Sequence, residues 1–461
     1  MGKGQNGIHH RIGFFQRLSY SIFPGILRGV KDQERYRRYL NTFILHFRPR
    51  TVPERTLQFT LTWGLGGMAV VLILMLFGTG VLLKFAYHPF PDKAYESILH
   101  LQHDIQFGQL IRNIHHWSAN ILLALVFLHF LRVFLTGAFH PPRQFNWIIG
   151  LSLFLTVLLS NFTGYLLPWD QLSFWAITIC TGTFDYIPGA GLWLQEMIRG
   201  GPEVGPSTLT NFYAIHTVIL PAVIIIFIPF HFWRVRKAGG LVIPHTPEED
   251  NKTRGEMVPS IPNLIVREIA MALVLIAFIL VVSAFFNAPL ESKANPGLSP
   301  NPTKAPWYFL GFQEILLHFS PLIALFFIPV LMIIALVSIP YINYPSSTAG
   351  VWFASSKGRR MAIDATVAAL IATPIGILVD EYVVDFAVWM PGLSPVISQG
   401  LIPLGIVLAG FYGFYLLLKR RYHANKNETV QVVFCFFLTV FIILTITGIW
   451  FRGAEMRLAW P

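Results

Sequence analysis

The sequence has little charge and almost no cysteine. Only 12% of its 461 residues are charged, about half the usual share of a soluble domain, and 54% are hydrophobic, which excludes a water-soluble globule. Two cysteines, Cys180 and Cys435, cannot form a disulfide framework, a thiolate cluster or a CxxCH haem attachment, so other residues must hold any metal. The net charge of +11 does not indicate nucleic-acid binding, because Lys and Arg are crowded into a few polar segments between long apolar stretches.

The apolar stretches predict an all-α, polytopic transmembrane bundle. A helix needs about 20 apolar residues to cross the hydrocarbon layer, and nine stretches meet that length. The predicted spans are 59–83, 113–137, 146–167, 212–233, 266–286, 318–339, 363–379, 397–418 and 430–450. The seventh contains Pro374 and begins near Asp364, so eight spans is the fallback count.

The distribution of positive charge predicts the orientation of the bundle. The N-terminus and the loops on its side hold 24 of the Lys and Arg residues, and the opposite loops hold 8. Since cytoplasmic loops carry the excess of positive charge, we expect a cytoplasmic N-terminus and an outer C-terminus, in a bacterial cell membrane. Residues 1–58 are basic and show no apolar core followed by a small-residue cleavage site, so we expect no removable signal peptide.

Two spans contain histidines in pairs, although ionisable side chains inside a bilayer are costly. His115 and His129 lie on the second span, and His216 and His231, whose separation in the sequence is wider by one, lie on the fourth. About four helical turns separate the members of each pair, so each pair lies on one helix face, with its members roughly 21–22 Å apart along the axis. The two spans run in the same direction, so His115 lies level with His216, and His129 with His231. A buried hydrogen-bonded side chain would explain one such histidine, but four at matched depth favour two haems with axial imidazole ligands.

Glycines on the neighbouring spans repeat this spacing. Gly66 and Gly80 on the first span are as far apart in the sequence as the two histidines of the second span, and so are Gly150 and Gly164 on the third. A flat macrocycle needs a helix surface without side chains where it lies, and glycine provides that clearance. Packing of small residues between helices is the alternative explanation.

Two arginines adjoin the histidines. Arg112 precedes His115 and Arg132 follows His129, where a haem propionate at each level would need a cation. Guanidinium matches carboxylate geometry, so we expect both to contact propionates. Extension of these side chains to the lipid headgroups is the alternative.

The sequence resembles cytochrome b of the quinol–cytochrome c oxidoreductase family, which is the family of the cytochrome bc and bf complexes. The resemblance covers roughly residues 50–345. It rests on the stretches LIRNIHHWSA, LHFLRVFLTG, GYLLPWDQLSFWA, LTNFYAIHT and APWYFLGFQE. It is closer to the chloroplast and cyanobacterial branch, whose separate subunit IV is here fused on, with two further helices at the end.

The resemblance implies two b-type haems, a low-potential one near the outer face held by His115 and His216 and a high-potential one near the inner face held by His129 and His231. It implies a quinol-oxidising pocket between the outer haem and two loops. These loops contain Pro168, Trp169 and Asp170, and Pro306, Trp307 and Tyr308. The implied partners are a Rieske-type iron–sulfur protein, a cytochrome c-type subunit and a second copy in a homodimer. Arg234, Lys237 and Arg267 lie at the depth expected for the inner quinone site, and cations exposed to solvent are the alternative.

The sequence departs from the family pattern at three positions. The PEWY motif begins here with Ala305, so the glutamate usually assigned as quinol proton acceptor is missing, and Asp170, Tyr308 and Glu314 are the candidate replacements. Gly64 stands where the chloroplast branch has the cysteine of a covalent third haem, so we expect no such haem. Asn211 replaces an arginine before His216, which should lower the outer haem potential.

Two other functions fit the histidines less well. A di-haem membrane anchor of another quinone-linked dehydrogenase or reductase has four or five helices and lacks the second block of spans. A secondary transporter could use midplane histidines for protons or metal, and it predicts a colourless protein.

The resemblance divides the predicted chain into five parts. They are a basic cytoplasmic segment 1–58, a four-helix di-haem core 59–238, a cytoplasmic linker 239–263, a subunit IV-like region with the quinol-site loop 264–345, and C-terminal transmembrane helices 346–461.

Overall fold

The computed structural model describes residues 51–243, 256–344 and 349–460, together with Phe15 and Leu18. Within these residues nine helices are long and apolar enough to cross a membrane, which confirms the predicted bundle. The spans, numbered first to ninth, are Leu65–Lys84, Gly108–Leu135, Gln144–Tyr165, Pro206–Lys237, Ser260–Phe285, Ile323–Tyr341, Ser356–Tyr382, Ile397–Tyr422 and Lys426–Trp450. The seventh continues through Pro374, so the fallback count of eight is wrong. Most of the predicted N-terminal segment and residues 244–255 of the linker lie outside the described residues.

Short elements connect the spans. The shorter α-helices are Phe59–Thr62, Ala94–His103, Gln171–Gly182, Gly191–Arg199, Leu310–His318 and Phe386–Trp389. Three-residue strands β1 (Thr51–Pro53) and β2 (Met257–Pro259) pair antiparallel, with Thr51 opposite Pro259. Because each strand immediately precedes a span of the bundle or its short leading helices, this pairing holds the starts of the first and fifth spans at one end of the bundle.

Contacts between loops agree with alternating spans. At the end that holds β1, the amide of Gly350 donates to the carbonyl of Thr136, so the loops after the second and sixth spans meet. At the opposite end Asp170 and Lys293 form an antiparallel bridge, which joins the loops after the third and fifth spans. Loops predicted to lie on the same side of the membrane therefore pack together.

An aliphatic core lies midway along the first five spans. Its members include Leu72, Leu122, Val157 and Ile224, each of which lies near the midpoint between the two glycines or the two histidines of its own span. All four are at most 6% exposed. The core therefore separates two levels of the bundle. We name them by the predicted orientation: the inner level is nearer to β1, and the outer level is farther from it.

The fourth span contains a π turn at Ile215–Ile219, where the amide of Leu220 donates to the carbonyl of Ile215. A π turn accommodates one residue more than an α-helical turn. His216 and His231 are therefore separated by the same number of helical turns as His115 and His129, although their separation in the sequence is wider by one. The wider spacing is thus absorbed by the backbone, and the two histidine pairs remain in register.

Candidate functional site

The two outer histidines face each other between the second and fourth spans. The ring centres of His115 and His216 are 6.3 Å apart, with the ring planes at 70°. Two imidazoles that bind one metal ion from opposite sides, each with a metal–nitrogen distance of about 2.0 Å, have ring centres roughly 6 Å apart. The outer pair is therefore spaced like the two axial ligands of one metal ion.

The Nδ1 atoms of the outer pair are hydrogen bonded to the neighbouring spans. Nδ1 of His115 lies 3.0 Å from Oγ1 of Thr79, and Nδ1 of His216 lies 2.9 Å from the carbonyl oxygen of Ser160. These contacts fix the orientation of each ring. They leave Nε2 as the nitrogen of each ring that is available to a metal.

The inner histidines form a second pair. His129 and His231 lie close enough to interact electrostatically. Nδ1 of His231 faces the carbonyl of Asn146, but no acceptor among the described residues lies within hydrogen-bonding geometry of it. The structure thus brings all four predicted histidines together as two pairs at two levels.

Each of the four predicted glycines lies against one histidine ring. A Cβ atom at Gly66 would lie 3.6 Å from Cε1 of His129, and one at Gly80 would lie 3.4 Å from Cε1 of His115. On the third span, the same atom at Gly150 would lie 3.5 Å from His231. The corresponding distance from Gly164 to His216 is only 2.6 Å. All four glycines therefore lie against an imidazole ring, but only at Gly164 is the space too small for a Cβ atom. Clearance for a macrocycle stays a prediction.

Comparison with known proteins identifies the family of the chain. Residues 53–239 match the profile described as cytochrome b/b6/petB. Cytochrome b6 of Prochlorococcus marinus (strain MIT 9303) is 42% identical over 175 residues, which are 38% of this chain and 80% of that protein. The chain belongs to the cytochrome b family. Cytochrome b6 of Acaryochloris marina (strain MBIC 11017) is 43% identical over 175 residues, 38% of this chain and 81% of that protein.

A solved structure extends the likeness to the second block of spans. A chain of "Hyperthermophilic respiratory Complex III" aligns with a TM-score of 0.60 and 22% sequence identity, over 90% of this chain and 97% of that chain. At this identity the match shows the fold. The fused arrangement of a cytochrome b core and a following block of helices is thus confirmed.

Membership of the cytochrome b family implies binding of b-type haem, and the residues at the two levels fit that cofactor. The paired imidazoles and the opposing glycines suit a bis-histidine iron site. Arg132 adds a second sign, because its Nη2 atom is buried and has no hydrogen-bond partner among the described residues. A propionate carboxylate would satisfy that donor. Arg112 instead donates to the carbonyls of Ala288 and Pro289 at 2.8 and 2.6 Å, so two of its nitrogens are engaged by the protein backbone.

The two predicted quinol-site loops meet at the outer end of the bundle. Trp169 is buried and follows Pro168, and its carbonyl accepts from the amide of Ala294. Trp307, which follows Pro306, donates from Nε1 to Oδ1 of Asn120 on the second span at 2.8 Å. The loop with Trp307 is thereby attached to the second span, and the loop with Trp169 is attached to the segment that follows the fifth span.

The three candidate proton acceptors have different surroundings. Tyr308 packs against the aliphatic core, and burial raises the pKa of its hydroxyl. Asp170 accepts from the amide of Ser173 through one carboxylate oxygen and from that of Glu291 through the other.

Glu314 lies elsewhere, on the helix Leu310–His318, and is fully buried. Its carboxylate binds the guanidinium of Arg452 at 2.6 to 3.1 Å and lies 3.3 Å from Nε2 of His318. Burial tends to raise the pKa of Glu314, but hydrogen bonds from His318 and Arg452 hold it below its usual range. This carboxylate is engaged in an ion pair with the segment after the ninth span.

The remaining predicted residues lie at the expected ends of the bundle. Arg234 is buried over the ring of Phe145, and Arg267 donates to the carbonyl of Leu57. Lys237 lies over Trp233. Gly64 has φ of 62°, and the side chain of Met271 occupies the space that its Cβ would need, whereas Asn211 lies beside Gly200.

Sequence reasoning missed several contacts that hold this site. Asn113 donates to the carbonyl of Ser283 and accepts from the amide of Ala288, which joins the second span to the end of the fifth. Thr79 and Thr163 contact the outer histidines. A signal was present in the sequence, since each threonine immediately precedes one of the outer glycines.

Proposed function

We propose that this chain is the cytochrome b subunit of a quinol–cytochrome c oxidoreductase that oxidises quinol at the outer face and contributes to a proton gradient. One electron passes to a Rieske-type iron–sulfur partner, and the other crosses two b-type haems to a quinone site at the inner face. A cytochrome c-type subunit then accepts that electron from the iron–sulfur partner. The complex is a homodimer in a bacterial cell membrane. The two levels of paired histidines are the observation that carries this proposal.

The proposed ligands are His115 with His216 at the outer level and His129 with His231 at the inner level. When bound there, haem supplies one-electron redox chemistry at two depths. The four imidazoles would hold the two irons, and Arg132 would neutralise a propionate through its buried Nη2, which has no partner among the described residues.

The quinol site lies, in this proposal, between the outer level and the loops with Trp169 and Trp307. Tyr308 interacts electrostatically with Tyr165, and Tyr165 with Asp170. Because burial raises the pKa of Tyr308, its hydroxyl stays protonated and donates a hydrogen bond to the quinol oxygen. Asp170 is the carboxylate in this series of interacting side chains, so we assign it as the acceptor of the quinol proton. The pairing of Glu314 with Arg452 supports the choice of Asp170 over Glu314.

In this proposal residues 59–238 form the di-haem core, and residues 264–345 form the subunit IV-like region. The loop contacts at both ends of the bundle support the assignment of the outer loops to the quinol side. The excess of Lys and Arg at the opposite end supports a cytoplasmic N-terminus.

Haem content of the purified protein tests the proposal. A pyridine haemochrome assay should give two b-type haems per chain, and His129→Ala should retain one of them, the outer haem. The matched control is His116→Gln on the same span, whose ring contacts Asn120 and Trp117, and it should retain two. Protein without haem, or a His129 variant that keeps both, would contradict the assignment.

A further inference from the structure

The outer level differs from the inner level in its hydroxyl groups. Oγ1 of Thr79 lies 3.0 Å from Nδ1 of His115, and Oγ1 of Thr163 lies 3.3 Å from Nδ1 of His216. The first and third spans thus each contribute one threonine to the outer level. Each threonine precedes the glycine that faces the same histidine, so the outer level carries the dipeptide Thr-Gly twice.

The direction of these hydrogen bonds follows from the other contacts of the hydroxyls. Thr79 donates its only hydroxyl hydrogen to the carbonyl of Met75 at 2.7 Å, and Thr163 donates to the carbonyl of Leu159 at 2.8 Å. Each oxygen therefore presents a lone pair to the imidazole. Nδ1 must carry the hydrogen and donate it, which leaves Nε2 unprotonated as the metal-binding nitrogen.

The inner level has no such hydroxyl among the described residues. Leu65 and Ile149 precede the inner glycines, so aliphatic side chains take the positions that threonine takes at the outer level. His231 keeps an Nδ1 atom with no acceptor in hydrogen-bonding geometry among the described residues. The two levels therefore share their histidines and glycines but differ in what their imidazoles donate to.

We propose that Thr79 and Thr163 are positioning residues that lower the reduction potential of the outer haem relative to the inner one. This rests on the proposed haem ligation. A hydrogen bond donated from Nδ1 makes an imidazole a stronger electron donor to its metal, which stabilises the ferric state. The described residues place a threonine hydroxyl beside Nδ1 of both outer histidines and beside neither inner histidine, which separates the potentials in the direction that sends an electron inward.

The two threonines should contribute unequally. For His115 the threonine is the acceptor with good geometry, although the carbonyl of Leu76 faces the same nitrogen. For His216 the carbonyl of Ser160 is closer, at 2.9 Å, and remains after any change at Thr163. Loss of the Thr79 hydroxyl should therefore have the larger effect.

Redox titration of the purified complex, followed in the b-type absorption bands, tests this inference. Thr79→Val, which keeps the size of the side chain, should shift the ferric–ferrous equilibrium of the lower-potential haem up to tenfold towards ferrous, which is a rise of up to about 59 mV. Thr163→Val should give a smaller rise, and Thr79→Ser should restore the original value. The higher-potential haem should not move.

Thr156→Val is the matched control. This buried threonine of the third span also donates its hydroxyl hydrogen to a carbonyl four residues earlier, and it hydrogen bonds to no histidine among the described residues. Two retained haems with unchanged potentials in Thr79→Val would overturn the inference, as would an equal shift in the control. Absence of haem from the unmodified complex would instead refute the proposed function, so the two failures are distinguishable.

Discussion

Replacing Gly164 by alanine should disturb the outer haem specifically. The new Cβ would lie 2.6 Å from Cε1 of His216 and 3.0 Å from its Nδ1. Carbon atoms in favourable contact are about 3.5–4.0 Å apart, so the ring must retreat by about 1 Å. The ring is held by Ser160 and faces His115, and a functional site tolerates displacements of only about 0.5 Å. We therefore expect loss of the outer haem, or a shifted outer absorption band, in haemochrome assays and low-temperature spectra.

The inner position Gly66 gives the contrasting case. A Cβ there meets His129 at 3.6 Å, which is an ordinary contact, so Gly66→Ala should keep both haems. Gly78→Ala on the same span is the matched control, because nothing lies within 4 Å of its Cβ position. Equal haem content and spectra in the Gly164 and Gly66 variants would refute the clearance argument.

Three further predictions concern the outer loops. Glu314→Gln removes the buried carboxylate that pairs with Arg452 and leaves Glu381 as the remaining carboxylate partner of its guanidinium, so it should cost at most about 3–5 kcal/mol and lower the thermal unfolding midpoint. An unchanged midpoint would contradict a stabilising role of the Glu314–Arg452 pair. Burial tends to lower the pKa of His318, but hydrogen bonds and charge from Asp380 and Glu314 raise it to about 9. This raised pKa stabilises the folded protein fully below the unfolded value near 6.5, and the contribution is lost as pH rises through about 9; His318→Gln should flatten that part of the unfolding profile. Ala305→Glu restores the carboxylate of the family motif, so it should alter the pH dependence of quinol oxidation. An unchanged profile would show that a carboxylate at this position does not accept the quinol proton.

Hydropathy and spacing predicted the spans and the histidine levels because both depend on local periodicity. The nine apolar stretches could be predicted from length alone, and the seventh helix, of 27 residues, continues through Pro374. The pairing of His115 with His216 followed from depth and direction alone. The π turn at Ile215–Ile219 was not predicted, since apolar side chains give no sign of one extra backbone residue.

Contacts between distant loops lay beyond sequence reasoning. Glu314 was a candidate proton acceptor because it follows the APWY stretch, but Arg452 is 138 residues further along and nothing local indicates their pairing. The engagement of Arg112 by the carbonyls of Ala288 and Pro289 is similar. Such partners depend on how whole spans pack, which the periodicity of any one span does not encode.

The aliphatic core around Leu72, Leu122, Val157 and Ile224 has an electrical consequence under the proposed function. Its buried members are all hydrocarbon, so the layer between the two levels has a low dielectric constant, and an electron that passes between the two proposed haems crosses it. An electron that crosses the whole voltage does work of about 2.3 kcal/mol per 100 mV.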